Sequence, residues 1–294
     1  MAHSSRSTRN GSLITSLASK LTDNAQKRKP SEKKDFPWWL LVAVAIAIVL
    51  GIAILVSPIY GQVFATVSQG IWITVWVSLL AFFLASAFGL LLAVMSLSDH
   101  IAVRQVARFY VEIVRGIPLL VLLFYIAFVG APAVVALWNF LTQPLQSAGI
   151  FEPMMVRDFS LLWRAIIALM LAYAAFLAEI FRAGIQSVDK GQIEAAKAVG
   201  LKRFQRFRLI IMPQAIRTIL PPYGNDFISM VKDTSLVSVL GVVDVTQMGK
   251  VYASGSFRFF ETYSVVAYVY LILTISLSLG LRWVERRMGR TERG

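Results

Sequence analysis

Residues 38–56 read WWLLVAVAIAIVLGIAILV, a run without one charged side chain. A helix of this length extends about 28 Å at about 1.5 Å per residue, enough to cross the hydrocarbon core of a bilayer. The apolar region of a cleaved signal peptide is shorter, roughly 7–15 residues. The run therefore predicts a retained transmembrane helix that anchors the chain.

The segment before this run is polar and basic. Residues 1–37 are rich in Ser, Lys and Arg and contain no sustained apolar run, which predicts a flexible basic tail in the cytoplasm. Leu13, Ile14, Leu17 and Leu21 share one helical face, so part of this tail is either a short interfacial helix or simply disordered.

The composition of the whole chain favours a membrane protein. Of its 294 residues, 57% are hydrophobic and 15% are charged, against about 45–50% and 25% in soluble proteins. The sequence predicts an all-α integral membrane protein with six transmembrane helices. After the first span, the apolar segments are residues 70–97, 117–141, 160–185, 213–243 and 262–284.

Two of these spans contain helix-breaking residues. Gly130 and Pro132 interrupt the third predicted span and could end it early. The fifth carries Pro221 and Pro222 together with several charged residues, which predicts a bent or broken helix. Because a charge facing lipid is costly, the polar side of this fifth helix should face protein or a water-filled path.

The basic residues predict the orientation of the chain in the membrane. With the amino terminus inside, 22 of the 29 Lys and Arg residues fall in cytoplasmic segments and only Arg157, Lys250 and Arg258 in outer loops. This asymmetry places both termini in the cytoplasm and requires an even number of spans. The chain is therefore predicted to cross its membrane several times.

Several function classes find no support in the residue inventory. The chain has no Cys and only two His, so we expect no metal site and no catalytic residues. It contains no phosphate-binding loop of the GxxxxGK[ST] type, so another chain would bind any nucleotide that is used. The basic residues flank apolar runs instead of forming an aromatic-lined stripe, which argues against nucleic acid as a partner.

The most informative motif lies between the fourth and fifth predicted spans. Glu194, Ala195 and Ala196 favour a short helix, and Gly200 supplies a turn. Phe204 lies in a second predicted helix that leads to Pro213. The sequence therefore predicts a cytoplasmic helix-turn-helix, the coupling segment, over residues 186–212, suited to lie in a groove of a partner.

This motif resembles the signature loop of ATP-binding-cassette (ABC) importer permeases. The signature begins with Glu-Ala-Ala, here Glu194 to Ala196, and has Gly after three further residues and Ile after nine more. It ends with one residue of any type, a hydrophobic residue and Pro, here Pro213; Met212 stands at the hydrophobic position, where Leu is usual. Further similarity points to the polar amino acid branch, the histidine, glutamine, glutamate and arginine permeases. It comprises Arg115-Gly116-Ile117-Pro118, Ala178-Glu179-Ile180-Phe181-Arg182 and Lys232-Asp233-Thr234-Ser235.

The resemblance implies a permease domain over residues 60–285, with a five-helix core, to which the span 38–56 is an addition. Residues 286–294 would form a cytoplasmic C-terminal tail, and the implied location is the inner membrane of a prokaryote. It implies that the coupling segment docks on a separate ABC ATPase, which uses ATP and Mg, while this chain binds no cofactor. The other implied partners are a second permease subunit, identical or homologous, an extracytoplasmic solute-binding protein, a polar amino acid as substrate, and membrane lipids.

Two polar groups inside the spans are candidate functional residues. Glu179 and Arg182, three residues apart on a helix, predict an ion pair with either a gating or a merely local structural role. Asn225, Ser229 and Lys232 form a polar stripe on the fifth span, with Asp226 and Asp233 beside it. The stripe either lines the substrate path or is structural, with Lys232 and Asp233 neutralising each other.

The predicted function is the membrane-spanning subunit of an importer that moves a polar amino acid inward by alternating access, driven by ATP. One alternative is an ion-gradient-driven secondary transporter, which usually contains two repeats of several helices; no motif recurs in this chain. The other is a membrane-embedded enzyme, which needs a convergent catalytic or metal cluster that the sequence does not provide.

Overall fold

The computed structural model describes residues 38–289, and within this range every regular element is a helix. The predicted tail of residues 1–37, with its possible interfacial helix, lies outside the described residues, as do residues 290–294. Residues up to Ile46 and residues from Ala47 onward form separate compact units, so we describe packing only within the second.

The first half of the described residues contains six α-helices. The first two are separated only by Ser57, and a 3-10 turn at Ser68–Gly70 precedes the third. A π-helix at Ile126–Gly130 joins the fifth to the sixth. They are α1 (Trp38–Val56), α2 (Pro58–Val67), α3 (Ile71–Ser96), α4 (Ile101–Gly116), α5 (Leu119–Tyr125) and α6 (Ala131–Ser147).

The second half contains six more. A π-helix at Phe207–Ile211 leads into the third of them, and a 3-10 helix at Thr234–Leu240 follows that helix. They are α7 (Leu161–Gln186), α8 (Lys190–Ala198), α9 (Arg203–Arg206), α10 (Met212–Asp233), α11 (Val245–Ser256) and α12 (Phe259–Gly289).

Among residues 38–289, four stretches are long and apolar enough to cross a membrane: Pro58–Ser96, Leu119–Ser147, Leu161–Gln186 and Phe259–Arg287. They coincide with the second, third, fourth and sixth predicted spans. In the first predicted span, Leu41–Val56 is a shorter apolar helix. The fifth is helical, but its helix is too polar to count by composition. The structure therefore supports a multi-pass helical protein without establishing the count of six.

Both proline-containing spans continue as helix through their prolines. The third does not end at Pro132, because the wide π-helix Ile126–Gly130 comes just before that proline and the helix then continues to Ser147. The fifth is not broken at Pro221 and Pro222; one α-helix runs through both and changes to 3-10 geometry only after Asp233. Before Pro132, the π-turn changes the pairing of the backbone hydrogen bonds, which suits a residue that has no N–H to donate.

The first residues of the predicted C-terminal tail are helical. Residues 286–289 form the last turn of α12. The Arg287 guanidinium lies 4.1 Å from the centre of the Trp283 ring, a cation–π contact one turn earlier on the same helix. This contact and the continuing backbone hydrogen bonds favour extension of the helix beyond the apolar run.

The main core lies where α3 packs on α7. Gly89 sits in this contact: a Cβ built there would be 2.9 Å from the Ala174 carbonyl oxygen and 3.0 Å from the Leu177 Cβ. Opposite it, the buried face of α7 is rich in alanine, including Ala168, Ala174 and Ala178. Small residues on both helices let their backbones approach closely, as is typical of helix pairs in membranes.

A second contact joins the end of the 3-10 helix to α12. Asp244 is fully buried and caps α11 by accepting a hydrogen bond from the Gln247 backbone N–H at 2.8 Å. The Tyr270 hydroxyl donates to the same carboxylate at 3.0 Å, and the Val245 N–H donates to Thr74 Oγ1 at 3.2 Å. Burial raises the pKa of Asp244, against the opposing effect of these hydrogen bonds. The cluster thus fixes α11 between α3 and α12.

We expect Tyr270→Phe to destabilise the protein by about 2 kcal/mol, because it removes a hydrogen bond to a buried charged group. The expected readout is a lower Tm of the detergent-solubilised protein. Tyr252→Phe is the matched control, since its hydroxyl reaches Gln62 Oε1 only at 3.5 Å. Equal losses of Tm in the two variants would show that the hydrogen bond to Asp244 adds no more stability than the weak contact of Tyr252.

Candidate coupling segment and membrane path

The coupling segment is a helix-turn-helix, as the sequence predicts. Asp189 caps α8 by accepting a hydrogen bond from the Gln192 N–H at 3.1 Å. Gly200 follows with φ of +82°, a left-handed conformation that glycine adopts at no steric cost. Gln205 Oε1 then accepts from the Lys202 N–H at 2.9 Å and starts α9. Local capping therefore shapes the pair of helices α8 and α9, which we call the hairpin of the coupling segment.

The three signature residues at the centre of α8 face different ways. Ala196 is buried at 6% exposure, whereas Glu194 and Ala195 are exposed. Within residues 38–289, no side chain hydrogen-bonds or pairs with the Glu194 carboxylate. Val199 is 82% exposed and Phe204 71% exposed, so apolar side chains stand on either side of the turn. The hairpin therefore presents an unpaired carboxylate and two apolar side chains to its surroundings.

Hydrogen bonds attach the coupling segment to α10. The Gln214 amide donates to Gln192 Oε1 at 2.6 Å, and the Ser187 hydroxyl to Thr218 Oγ1 at 3.2 Å. The π-helix Phe207–Ile211 connects α9 directly to Pro213, which lies in the first turn of α10. Because no flexible loop intervenes on this side, displacement of the hairpin would be transmitted to α10.

The predicted pair of Glu179 and Arg182 is present near the end of α7. Arg182 Nη2 lies 2.6 Å from Glu179 Oε2 and its Nε lies 3.2 Å from Oε1, a two-point contact. Arg182 Nη1 also donates to Gln186 Oε1 at 3.0 Å. Both side chains are about one-third exposed, at 32% and 33%. The pair thus borders the first residue of the coupling segment.

The structure divides the polar residues of α10 into two groups. Asn225 and Lys232 are exposed and Ser229 is partly buried, so these three follow the predicted stripe. Asp226 and Asp233 are also partly buried, and the helical period places both of them next to Ser229, three or four residues away along α10. The two aspartates therefore lie beside the stripe, as the spacing predicts.

The aspartates of α10 lie beside α7. The Tyr173 hydroxyl donates to Asp233 Oδ2 at 2.7 Å. Asp226 Oδ2 is buried and has no hydrogen-bond partner in the described part of the chain. A carboxylate oxygen held away from water without a donor is able to accept one from a cationic ligand.

Sequence reasoning missed Tyr173 and the buried Arg164. The available signal was one aromatic hydroxyl within the alanine-rich run Ala172-Tyr173-Ala174-Ala175. Arg164 is 7% exposed and donates to the carbonyl oxygens of Ala127, at 3.0 Å, and of Val156. Because these carbonyl oxygens hold the Arg164 guanidinium, this side chain links the loop before α7 to the π-helix at Ile126–Gly130.

The chain is similar to amino acid permeases along most of its length. It is 40% identical over 230 residues to a probable amino-acid permease protein, YxeN, of Bacillus subtilis, covering 78% of this chain and 94% of that one. It is 34% identical over 220 residues to the glutamine transport system permease protein GlnP of Escherichia coli K12, covering 75% and 91%.

Solved structures agree with this similarity. An amino acid ABC transporter crystallised with histidines matches with a TM-score of 0.62 and 35% identity, over 78% of this chain and 95% of that one. The MetNI methionine ABC transporter, in an inward-facing conformation, shares the fold at a TM-score of 0.57 and 18% identity. Residues 85–290 match the family described as the binding-protein-dependent transport system inner membrane component. The chain therefore belongs to this family of importer permeases.

Proposed function

We propose that this chain carries a polar amino acid into the cytoplasm by alternating access, coupled to a separate ATPase. Relatives named as amino-acid and glutamine permeases support the substrate class. The observation that carries the coupling role is the exposed hairpin, with Glu194 unpaired and Val199 and Phe204 uncovered. Such a surface fits a groove that contains a basic side chain within an apolar lining.

The proposed orientation places the coupling segment and both termini in the cytoplasm. Its support is the charge asymmetry of the loops, with Arg157, Lys250 and Arg258 the outer basic residues. The outer face would then receive the soluble binding protein after which the family is described. The inner face would receive ATPase subunits, which use ATP and Mg, and a second permease subunit would complete the path.

The two groups on α10 suit opposite ends of a zwitterionic substrate. Asp226 and Asp233, beside Tyr173, offer acceptors for an ammonium group. Lys232 and Asn225 offer donors for a carboxylate. We propose that these residues contact the substrate as it passes α10, the two acids through its ammonium group and the donors through its carboxylate. Between them, they provide the hydrogen bonds that replace the substrate's water.

The pair of Glu179 and Arg182 is proposed as part of the inner gate. Its bidentate contact holds the end of α7 beside Gln186, where the coupling segment begins. An exposed pair of this kind contributes little to stability. A role in holding one of two positions of the segment is therefore a better reason for its presence than stability alone.

The decisive experiment is reconstitution. The chain is purified with its candidate ATPase and any second permease subunit, placed in vesicles, and supplied with ATP and a loaded binding protein. We expect ATP-dependent accumulation of the amino acid and hydrolysis stimulated by the binding protein. Accumulation that needs an ion gradient and no ATPase would instead favour a secondary transporter. Chemical conversion of a substrate by this chain alone would favour an enzyme.

A further inference from the structure

A cavity of about 490 Å³ lies between the end of α3 and the coupling segment. The turn after α3 supplies Asp99 and His100, and the coupling segment supplies Arg203 from the opposite wall. The volume falls within the range of roughly 300–1,000 Å³ that is typical of small-molecule sites. None of the substrate-path residues discussed above lines it.

The charged groups of this cavity are unpaired. Asp99 and Arg203 are both exposed, and neither side chain makes an ion pair or hydrogen bond with any residue between 38 and 289. The nearby Arg104 is directed elsewhere, since its guanidinium donates to the Ser98 carbonyl at 2.9 Å. One carboxylate and one guanidinium thus face a shared space without neutralising each other.

Apart from Ser98 and His100, the remaining wall is apolar. Val94 closes the side formed by α3, Ile185 the side formed by α7, and Phe207 the side formed by the π-helix. A ligand that fits therefore carries a cationic group, an anionic group and a side chain of moderate size. A free amino acid has all three within a few bonds, with its ammonium placed on Asp99 and its carboxylate on Arg203.

We propose that this cavity is a second, cytoplasmic site for the amino acid, through which the accumulated product slows its own import. This inference rests on the proposed function and orientation. Asp99 belongs to the turn after α3, whereas Arg203 belongs to the hairpin that docks on the ATPase. An amino acid that bridges them ties the hairpin to the permease core and restrains the movement that transmits ATPase closure. Occupancy rises as the product accumulates, so the restraint acts as feedback.

The test uses the full reconstituted complex in vesicles made without phosphatidylethanolamine. Initial uptake of L-glutamine and L-histidine is measured with and without the same amino acid enclosed inside. We expect enclosed amino acid to slow uptake several-fold in the unmodified complex. Asp99→Asn keeps the size of the side chain but removes its charge, and we expect about tenfold more enclosed amino acid for the same inhibition.

Glu112→Gln is the matched control, because Glu112 is an exposed acid on α4 that does not line the cavity. We expect it to keep normal inhibition. Equal inhibition in the unmodified and Asp99→Asn complexes would overturn the proposal. The proposal would also be overturned if Asp99→Asn had an effect only after phosphatidylethanolamine is restored, and if that effect did not depend on enclosed amino acid. The cavity would then hold a lipid head group.

Uptake into empty vesicles tests the proposed function separately. Absence of this uptake refutes the proposed function, whereas uptake without inhibition by enclosed amino acid refutes only this site.

Discussion

Glu194→Lys is expected to reduce ATP-driven uptake by more than roughly tenfold while leaving membrane insertion and Tm unchanged. The Glu194 carboxylate is exposed and has no partner in the described chain, so reversing its charge disturbs no internal contact. If Glu194 docks beside a basic side chain of the ATPase, as proposed, the same change places like charges opposite each other, which costs several kcal/mol. The measurements are uptake, ATPase stimulation and copurification of the ATPase with the permease.

Glu112→Lys is the control for this charge reversal, since Glu112 is also exposed but lies on α4, outside the coupling segment. It should retain uptake and ATPase copurification. Normal uptake by Glu194→Lys would contradict a docking role for the segment. Loss of both insertion and Tm would show instead that Glu194 serves the fold.

Gly200 allows a second test of the same surface. A Cβ built at Gly200 meets nothing within 4 Å, so a larger side chain would project away from the protein. Gly200→Ala and Gly200→Trp both carry the left-handed backbone, with φ of +82°, at a shared cost of about 1–3 kcal/mol. We expect the Trp variant alone to lose ATPase docking. Equal transport by the two variants would place the turn outside the interface.

Lys232→Ala is the second change with a large expected effect. Lys232 is exposed on α10, and the described residues provide no hydrogen bond or ion pair for its ammonium group. Its removal should therefore leave the fold unchanged. If its charge binds the carboxylate of the passing amino acid, we expect uptake to fall by about tenfold to a hundredfold, as for loss of a hydrogen bond to a charged group.

The control is Lys250→Ala, which removes an exposed lysine from α11, away from the polar stripe. Kinetic constants for uptake are compared while the binding protein is kept saturating, so that docking does not limit the rate. Unchanged kinetics in Lys232→Ala would make the stripe a structural feature of the helix. A large fall in Tm that accompanies the fall in uptake would have the same consequence, because the loss of uptake would then come from loss of the fold.

Much of the architecture could be inferred from residue order. The apolar run of residues 38–56 and those after it predict helices, because a helix satisfies its backbone hydrogen bonds within one continuous segment. The hairpin around Gly200 was equally predictable, since an Asp cap and a left-handed glycine act over a few residues. These features depend on neighbours along the chain, so the amino-acid sequence alone is sufficient to predict them.

Other features depend on residues that are distant along the chain. Spacing on α10 predicted that Asp226 and Asp233 lie beside one polar stripe, but it did not predict that Asp233 accepts a hydrogen bond from Tyr173 on α7 while Asn225 and Lys232 stay exposed. Helical periodicity gives the angle between side chains, but it does not identify which helix covers each face. The cavity of Asp99 and Arg203 has the same origin, because its walls belong to segments more than a hundred residues apart. Local hydrogen bonding thus accounts for the helices and the hairpin, whereas long-range packing between helices creates the sites.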